Sequence, residues 1–180
     1  MHNQKETLRK QIIQQRNVLS TAQVDKAEKD IAAIFWDQNS QEVAVLHTYL
    51  PINNEASTLL IIEKALELGW TVVVPKTLPK RQLKHLVLKN LTHLKEGKFG
   101  TKLPLEEIEY KGEIDYVLVP GVGFSKELGR MGYGGGYYDT FLSDFPNAKK
   151  IGVGYDFQVI PKLPVEEHDV PMDRLIIATL

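Results

Sequence analysis

Apolar residues recur every three or four positions in the N-terminal part of the chain, then gather into short continuous runs. Val24, Ala27, Ile31, Ile34 and Phe35 share one helical face and predict an amphipathic helix ending near Asp37. Ser20 followed by Gln23 has capping-box spacing at its start, and Asn3 followed by Glu6 repeats that spacing for an earlier helix. Residues 43–50 (VAVLHTYL) then form a β-rich run, and Pro51-Ile52-Asn53-Asn54 reads as a loop. Residues 55–68 read as a helix with Leu59, Ile62 and Leu66 on one face, stopped by Gly69. Residues 71–75 (TVVVP) predict a buried strand and residues 83–88 a weaker one. Residues 92–113 hold Pro104, many charges and little periodicity, and read as loop with a short helix near Leu105. Residues 114–120 (IDYVLVP) are a strong strand, followed by a glycine-dense loop and a short helix over 136–144. Residues 150–155 and 175–178 are the last two strands. Continuous Val/Ile/Leu runs mark strands buried on both faces, and alternation with helices implies a parallel sheet. The expected fold is α/β: a single-domain three-layer α/β/α sandwich over residues 1–180, with a mostly parallel central sheet.

Composition narrows the classes. The 180 residues include no Cys, 22 Lys+Arg and 23 Asp+Glu, for a net charge of −1. That length suits one domain, and 43% hydrophobic with 25% charged residues is globular. Without Cys, disulfides, thiolate zinc sites, iron–sulfur clusters and Cys nucleophiles are excluded. No run approaches the roughly 18 apolar residues of a membrane span. The first ten residues are polar and lack a signal-peptide core. The near-neutral charge gives no general field for nucleic acid. A soluble, cytoplasmic protein with small-molecule partners is expected, with no nucleic acid and no membrane. Its oligomeric state stays open between monomer and weak dimer.

The glycines carry the strongest chemical signal. Gly112, Gly121, Gly123, Gly129, Gly132, Gly134, Gly135 and Gly136 are eight of the 13 in the chain. The loop core reads Arg130-Met131-Gly132-Tyr133-Gly134-Gly135-Gly136-Tyr137-Tyr138-Asp139. Bare backbone N–H groups after a strand, with the positive end of the next helix, suit a phosphate. A flexible surface loop is the plainer alternative. No window reads G-x-x-x-x-G-K-[ST], and Tyr137 stands where G-x-G-x-x-G needs its third glycine. The fold is therefore Rossmann-like without a dinucleotide fingerprint.

Other residues gain meaning from this loop. At 100° per residue, Arg9 and Arg16 fall within about 40° of Lys5, in the sector of Leu8, Ile12 and Leu19. Either their stems pack on the core with heads in water, or Lys5 and Arg9 face an anionic ligand. Glu55 is either a favourable charge in a helix's first turn or an acceptor for an N–H-rich ligand. Asp139 and Asp173 suit capping and turns, or one Mg²⁺ shared with phosphate oxygens. Tyr133, Tyr137, Tyr138 and Phe99 are flat surfaces for a heterocycle. Tyr138 also shares a helix face with Phe141, Leu142 and Phe145, which favours core, while Phe99 between Gly97 and Gly100 favours ligand contact. His2, His47, His85, His93 and His168 are scattered, so no zinc site is expected, and Ser125 lacks a nucleophile-elbow context.

Taken together, these segments resemble the 5-formyltetrahydrofolate cyclo-ligases (methenyltetrahydrofolate synthetases) over essentially the whole chain. The motifs are Lys5-x-x-Leu8-Arg9, Tyr49-Leu50-Pro51-x-x-x-Glu55, Val74-Pro75-Lys76, Val119-Pro120-Gly121-Val122-Gly123-Phe124, the loop from Arg130 to Asp139, Gly152-Val153-Gly154-Tyr155 and His168-Asp169-Val170-Pro171-Met172-Asp173. The resemblance implies ATP- and Mg²⁺-dependent cyclisation of 5-formyltetrahydrofolate to 5,10-methenyltetrahydrofolate, with ADP and phosphate released. It implies ATP binding by Lys5, Arg9, Arg130, Gly132, Tyr133, Gly134, Gly135, Gly136, Tyr137 and Tyr138. It implies folate contacts from Leu50, Glu55, Tyr137 and Phe99, and Mg²⁺ on Asp139 and Asp173. Arg130, Lys5 and Tyr137 are the expected catalytic residues. Many family members carry Arg or Lys inside the loop, where this chain has Tyr133-Gly134-Gly135. The cation that meets the transferring phosphate is therefore open among Lys5, Arg9 and Arg130, with Arg130 favoured and Lys76 and Lys126 behind. Competing readings are a non-catalytic nucleotide- or folate-binding regulator, and a sugar-phosphate isomerase or CoA-transferase-like enzyme on a similar scaffold.

Overall fold

A computed structural model describes residues 2–39, 41–161, 163 and 169–180, with side chains from residue 5 onward. His168 lies outside the described residues. The chain opens with helices α1 (His2–Asn17) and α2 (Thr21–Gln38). Strand β1 (Val45–His47), helix α3 (Leu59–Glu67), and strands β2 (Thr71–Thr77) and β3 (Leu83–Leu88) follow. A small arm holds β4 (Leu94–Glu96) and β5 (Lys102–Pro104). The second half holds β6 (Tyr116–Pro120), β7 (Gly123–Ser125), β8 (Arg130–Met131), α4 (Tyr137–Asp144), β9 (Lys149–Tyr155), β10 (Val159–Ile160) and β11 (Arg174–Ala178).

The central sheet has six strands in the order β11-β9-β6-β1-β2-β3. All pairings are parallel except β2 with the edge strand β3. Alternate side chains of each strand enter opposite layers. Tyr116, Leu118, Ile151, Val153 and Ile176 join α2 and α3 residues such as Ile31, Phe35 and Ile62 in the larger core. Val117 and Val119 face the other way and pack with Phe124 and with Phe141 and Leu142 of α4. These are the three layers expected from the sequence. On the second face, Gly152 exposes bare backbone to the Phe124 ring, where a Cβ would stand 2.6 Å from it. A third cluster sets Ile12 of α1 against Val122, Met131 and Leu163, so α1 packs on the small sheet β10-β7-β8.

Several local expectations change. The Ser20–Gln23 capping box forms, but Asn3 lies inside α1 rather than at its start. The run at 43–50 yields only three residues of ladder, Val45–His47. The helix expected from residue 55 starts at Leu59, with Thr58 as its N-cap residue. Glu55 is therefore in a loop, not a first helical turn. Residues 92–113 hold the β4–β5 arm around a 3-10 turn at Lys98–Gly100, and no helix forms near Leu105.

Candidate active site

The sheet order reverses at β1: β2 adds on one side and β6 on the other. In open α/β sheets the ligand crevice lies beyond the strands' carboxyl ends at such a point. The two segments that meet there follow β1 and β6, and they carry Glu55 and the glycine loop.

Glu55 is placed by a tight turn. Asn53 and Asn54 both take left-handed backbone, with φ of 49° and 54°, which Asn tolerates better than most residues. The Glu55 N–H donates to the Ile52 carbonyl at 2.9 Å, and the Ile52 N–H donates to Glu55 Oε2 at 3.1 Å. The turn drives the side chain inward until Glu55 is 8% exposed. Below it, the Tyr155 hydroxyl donates to the carbonyls of Asn54 and Glu55 at 3.2 and 3.3 Å. Burial pushes that phenol up to about 12.

The glycine loop reaches across to the same carboxylate. The Tyr133 hydroxyl donates to Glu55 Oε1 at 2.6 Å. Burial holds the Glu55 carboxyl above its ordinary value, while hydrogen bonds from Tyr133 and Ile52 and the charge of Arg16 draw it part of the way back. The Tyr133 phenol is raised by burial first and by Glu55 second. Helix α1 grips the loop from the other side: Arg9 Nε donates to the Gly132 carbonyl at 2.8 Å. Gly134 and Gly136 adopt left-handed φ of 95° and 69°, and Gly136 forms the N-terminal cap of α4. Those conformations disfavour any residue with a Cβ.

The cations divide by partner. Arg130 is 5% exposed at its side chain; its Nη2 donates to Asp139 Oδ1 at 2.8 Å and its Nη1 to the Pro120 carbonyl at 3.3 Å. It also lies over the Tyr138 ring, 5.6 Å from the centroid. Lys5 is buried, 3.7 Å from Asp169. Lys76 is bound to Glu107 at 2.6 Å, and Lys126 is exposed in the turn between β7 and β8. Tyr138 packs edge-on against Phe141, as its core reading requires. Tyr137 lies against Gly135, where a Cβ would meet its ring at 2.9 Å. Leu50 is packed within the larger core. Phe99 is 74% exposed in the arm and takes a left-handed φ of 59°.

The two candidate Mg²⁺ carboxylates are held separately. Asp139 gives Oδ1 to Arg130, while Asp173 Oδ2 accepts the Lys150 N–H at 2.6 Å. Pro120 stands opposite Val153 and Val117 opposite Lys150, so the two anchors differ by three residues, about 10 Å of strand. No group of three metal-ligating side chains occurs among the described residues. A Mg²⁺ bound mainly by phosphates and water needs only one or two carboxylates. Asp139 fits that demand, because its second oxygen has no hydrogen-bond partner among the described residues and it stands at the loop.

Sequence reasoning did not single out Arg16 for the site, although it shares the inward sector of Lys5 and Arg9. Nor did it select Arg81, whose guanidinium lies against Gly136 at 3.4 Å from a Cβ placed there. Arg81 arrives through the β2–β3 hairpin, a tertiary placement with no local signal.

Together these features define an α/β enzyme whose glycine-rich loop and buried carboxylate share one crevice. The family model for the 5-formyltetrahydrofolate cyclo-ligase family matches residues 1–178. A 5-formyltetrahydrofolate cyclo-ligase of Haemophilus influenzae is 29% identical, over 98% of this chain and 100% of the relative. The solved 5,10-methenyltetrahydrofolate synthetase of Mycoplasma pneumoniae superposes with a TM-score of 0.78 at 27% identity, covering 96% of this chain and 97% of that one. The Aquifex aeolicus 5,10-methenyltetrahydrofolate synthetase gives 0.81 at 27% identity, covering 97% and 89%. The chain belongs to the 5-formyltetrahydrofolate cyclo-ligase family and is an enzyme of that cyclo-ligase class.

Proposed function

We propose that the protein converts 5-formyltetrahydrofolate and ATP to 5,10-methenyltetrahydrofolate, ADP and phosphate, with Mg²⁺. The observation that carries this reading is the 2.6 Å contact between Tyr133 and Glu55. It brings a loop built for phosphate beside a buried acceptor suited to the N–H edge of a pterin. Direct transfer between two substrates demands such closeness.

The chemistry accounts for the residue types. A formyl amide is a poor electrophile, because its nitrogen lone pair feeds the carbonyl. Transfer of the γ-phosphoryl group to the formyl oxygen converts that oxygen into a leaving group. N10 of the same folate attacks the carbon, closing the ring; phosphate departs and N10 loses its proton. Glycine-loop N–H groups, Arg9, Lys5 and Arg130 orient the phosphates and offset developing charge. Arg130 does so by giving up part of its hold on Asp139. The free oxygen of Asp139 would hold Mg²⁺, with Asp173 as the second carboxylate only if the segment before β11 shifts. The ion would supply neutralisation of phosphate charge. No enzyme nucleophile is required, since both reacting groups belong to the folate.

The test is turnover. Purified protein with 5-formyltetrahydrofolate and Mg-ATP should develop the near-ultraviolet absorbance of the methenyl product, and should fail without ATP or with EDTA. Folded protein that binds ATP and gives no product rejects the reading and favours a binding regulator.

A further inference from the structure

Arg16 is 2% exposed and among the largest fully buried side chains. Among the described residues it makes no ion pair, and its Nε has no hydrogen-bond partner. A guanidinium carries five N–H donors and a permanent charge, so burial without a carboxylate leaves much of its capacity unused. Its neighbours are specific. The guanidinium carbon lies 5.5 Å from the centroid of the Tyr133 ring, and its charge lowers that phenol's pKa against the larger effect of burial. Its charge also acts on Glu55. Tyr133 thus meets a buried guanidinium with its ring and a buried carboxylate with its hydroxyl. Tyr133 itself is 51% exposed and belongs to a loop with left-handed glycines on its far side.

We propose that Arg16 is a further folate-binding residue, and that the Tyr133 hydroxyl occupies, in the free enzyme, the position of the substrate's heterocycle edge. This rests on the ligase reading above. A pterin presents N–H donors next to a carbonyl acceptor. Glu55 takes the donors, and Arg16 donates to the carbonyl oxygen once Tyr133 swings away with its loop. The arrangement makes folate entry displace a loop residue, and leaves the freed tyrosine on the nucleotide side.

Binding of 5-formyltetrahydrofolate without ATP, measured by calorimetry beside thermal melting, tests this. Arg16→Gln should weaken folate binding by about tenfold to a hundredfold, as expected for losing a hydrogen bond from a charged donor, while Mg-ATP affinity holds. Tyr133→Phe, which removes a competing hydroxyl and keeps the ring, should bind folate at least as tightly as wild type. A 5-formyl-tetrahydropterin lacking the glutamyl tail should show the same loss with Arg16→Gln; a loss confined to the full folate would assign Arg16 to the tail carboxylates and overturn the proposal. Unchanged folate affinity in folded Arg16→Gln also overturns it. Should that variant not fold, weaker binding by Tyr133→Phe overturns it and tighter binding supports it. Wild-type protein that binds no folate overturns the ligase reading and this one together; wild-type binding with an indifferent Arg16 overturns this one alone.

Discussion

Arg130 and Asp139 answer one another in the free enzyme, and that pairing gives each a double duty. Removing the guanidinium strands a carboxylate that is 20% exposed and a backbone carbonyl at the end of β6. Arg130→Ala should therefore cost about 3 kcal/mol in denaturant unfolding, at the low end for a broken buried pair because Asp139 is partly exposed. It should also lower kcat well beyond tenfold, because charge aimed at a developing oxyanion is worth several kcal/mol. A destabilised variant with wild-type kcat would confine Arg130 to holding the loop. The residue types of this site were legible in the sequence, because Arg, Gly, Tyr and Asp stand in one short stretch. Their mutual pairing was not, since nothing in a linear order says whether Arg130 faces a ligand or Asp139.

At the scale of elements, the glycines separate into two trades. Those of the loop proper, Gly134 and Gly136, serve backbone conformation. Gly152, in the middle of β9, serves packing: a Cβ there would stand 2.6 Å from Phe124 and 2.7 Å from Leu175. Gly152→Ala should lower stability by about 1–3 kcal/mol through overpacking, with Mg-ATP affinity unchanged. Calorimetric melting and nucleotide titration on the same sample check both halves. Periodicity revealed the helices and the long strands, because α2 and β6 are consistent over their whole length. It failed where pairing is made by distant partners: β7, β8 and β10 hold two or three residues each and exist only as a sheet. It also ran the α3 pattern backward through Asn53 and Asn54, whose left-handed turn no hydrophobic pattern reports. That error concealed the loop position of Glu55.

For the molecule as a whole, acid is the expected weakness. His47 is fully buried between β1 and α4, its ring 4.4 Å from Phe141 and its Nε2 3.2 Å from Nδ1 of His85. Burial, then the neighbouring His85, holds its pKa well below 6.5. Burial also lowers His85, against the opposing pull of Asp144 and Glu109. The unfolded chain takes up protons at both histidines as pH falls through 6.5, and the folded protein resists. Stability is therefore fully present above that value and declines below it until the folded pair protonates. Glu55, raised by burial, works in the opposite sense at pH values above 4.5 and blunts the decline. Urea midpoints measured from pH 7.5 down to 5.5 should fall, and His47→Gln should flatten the slope. An equal slope in that variant would shift responsibility away from the histidine pair.

The bond from Arg9 to Gly132 joins residues 123 positions apart in the chain. Contacts of such separation require most of the chain to be collected first, and they form slowly. During synthesis the first helix must wait for the loop it will clamp. The clamp on the glycine loop thus closes near the end of folding, and a chain halted before residue 132 is made lacks it altogether.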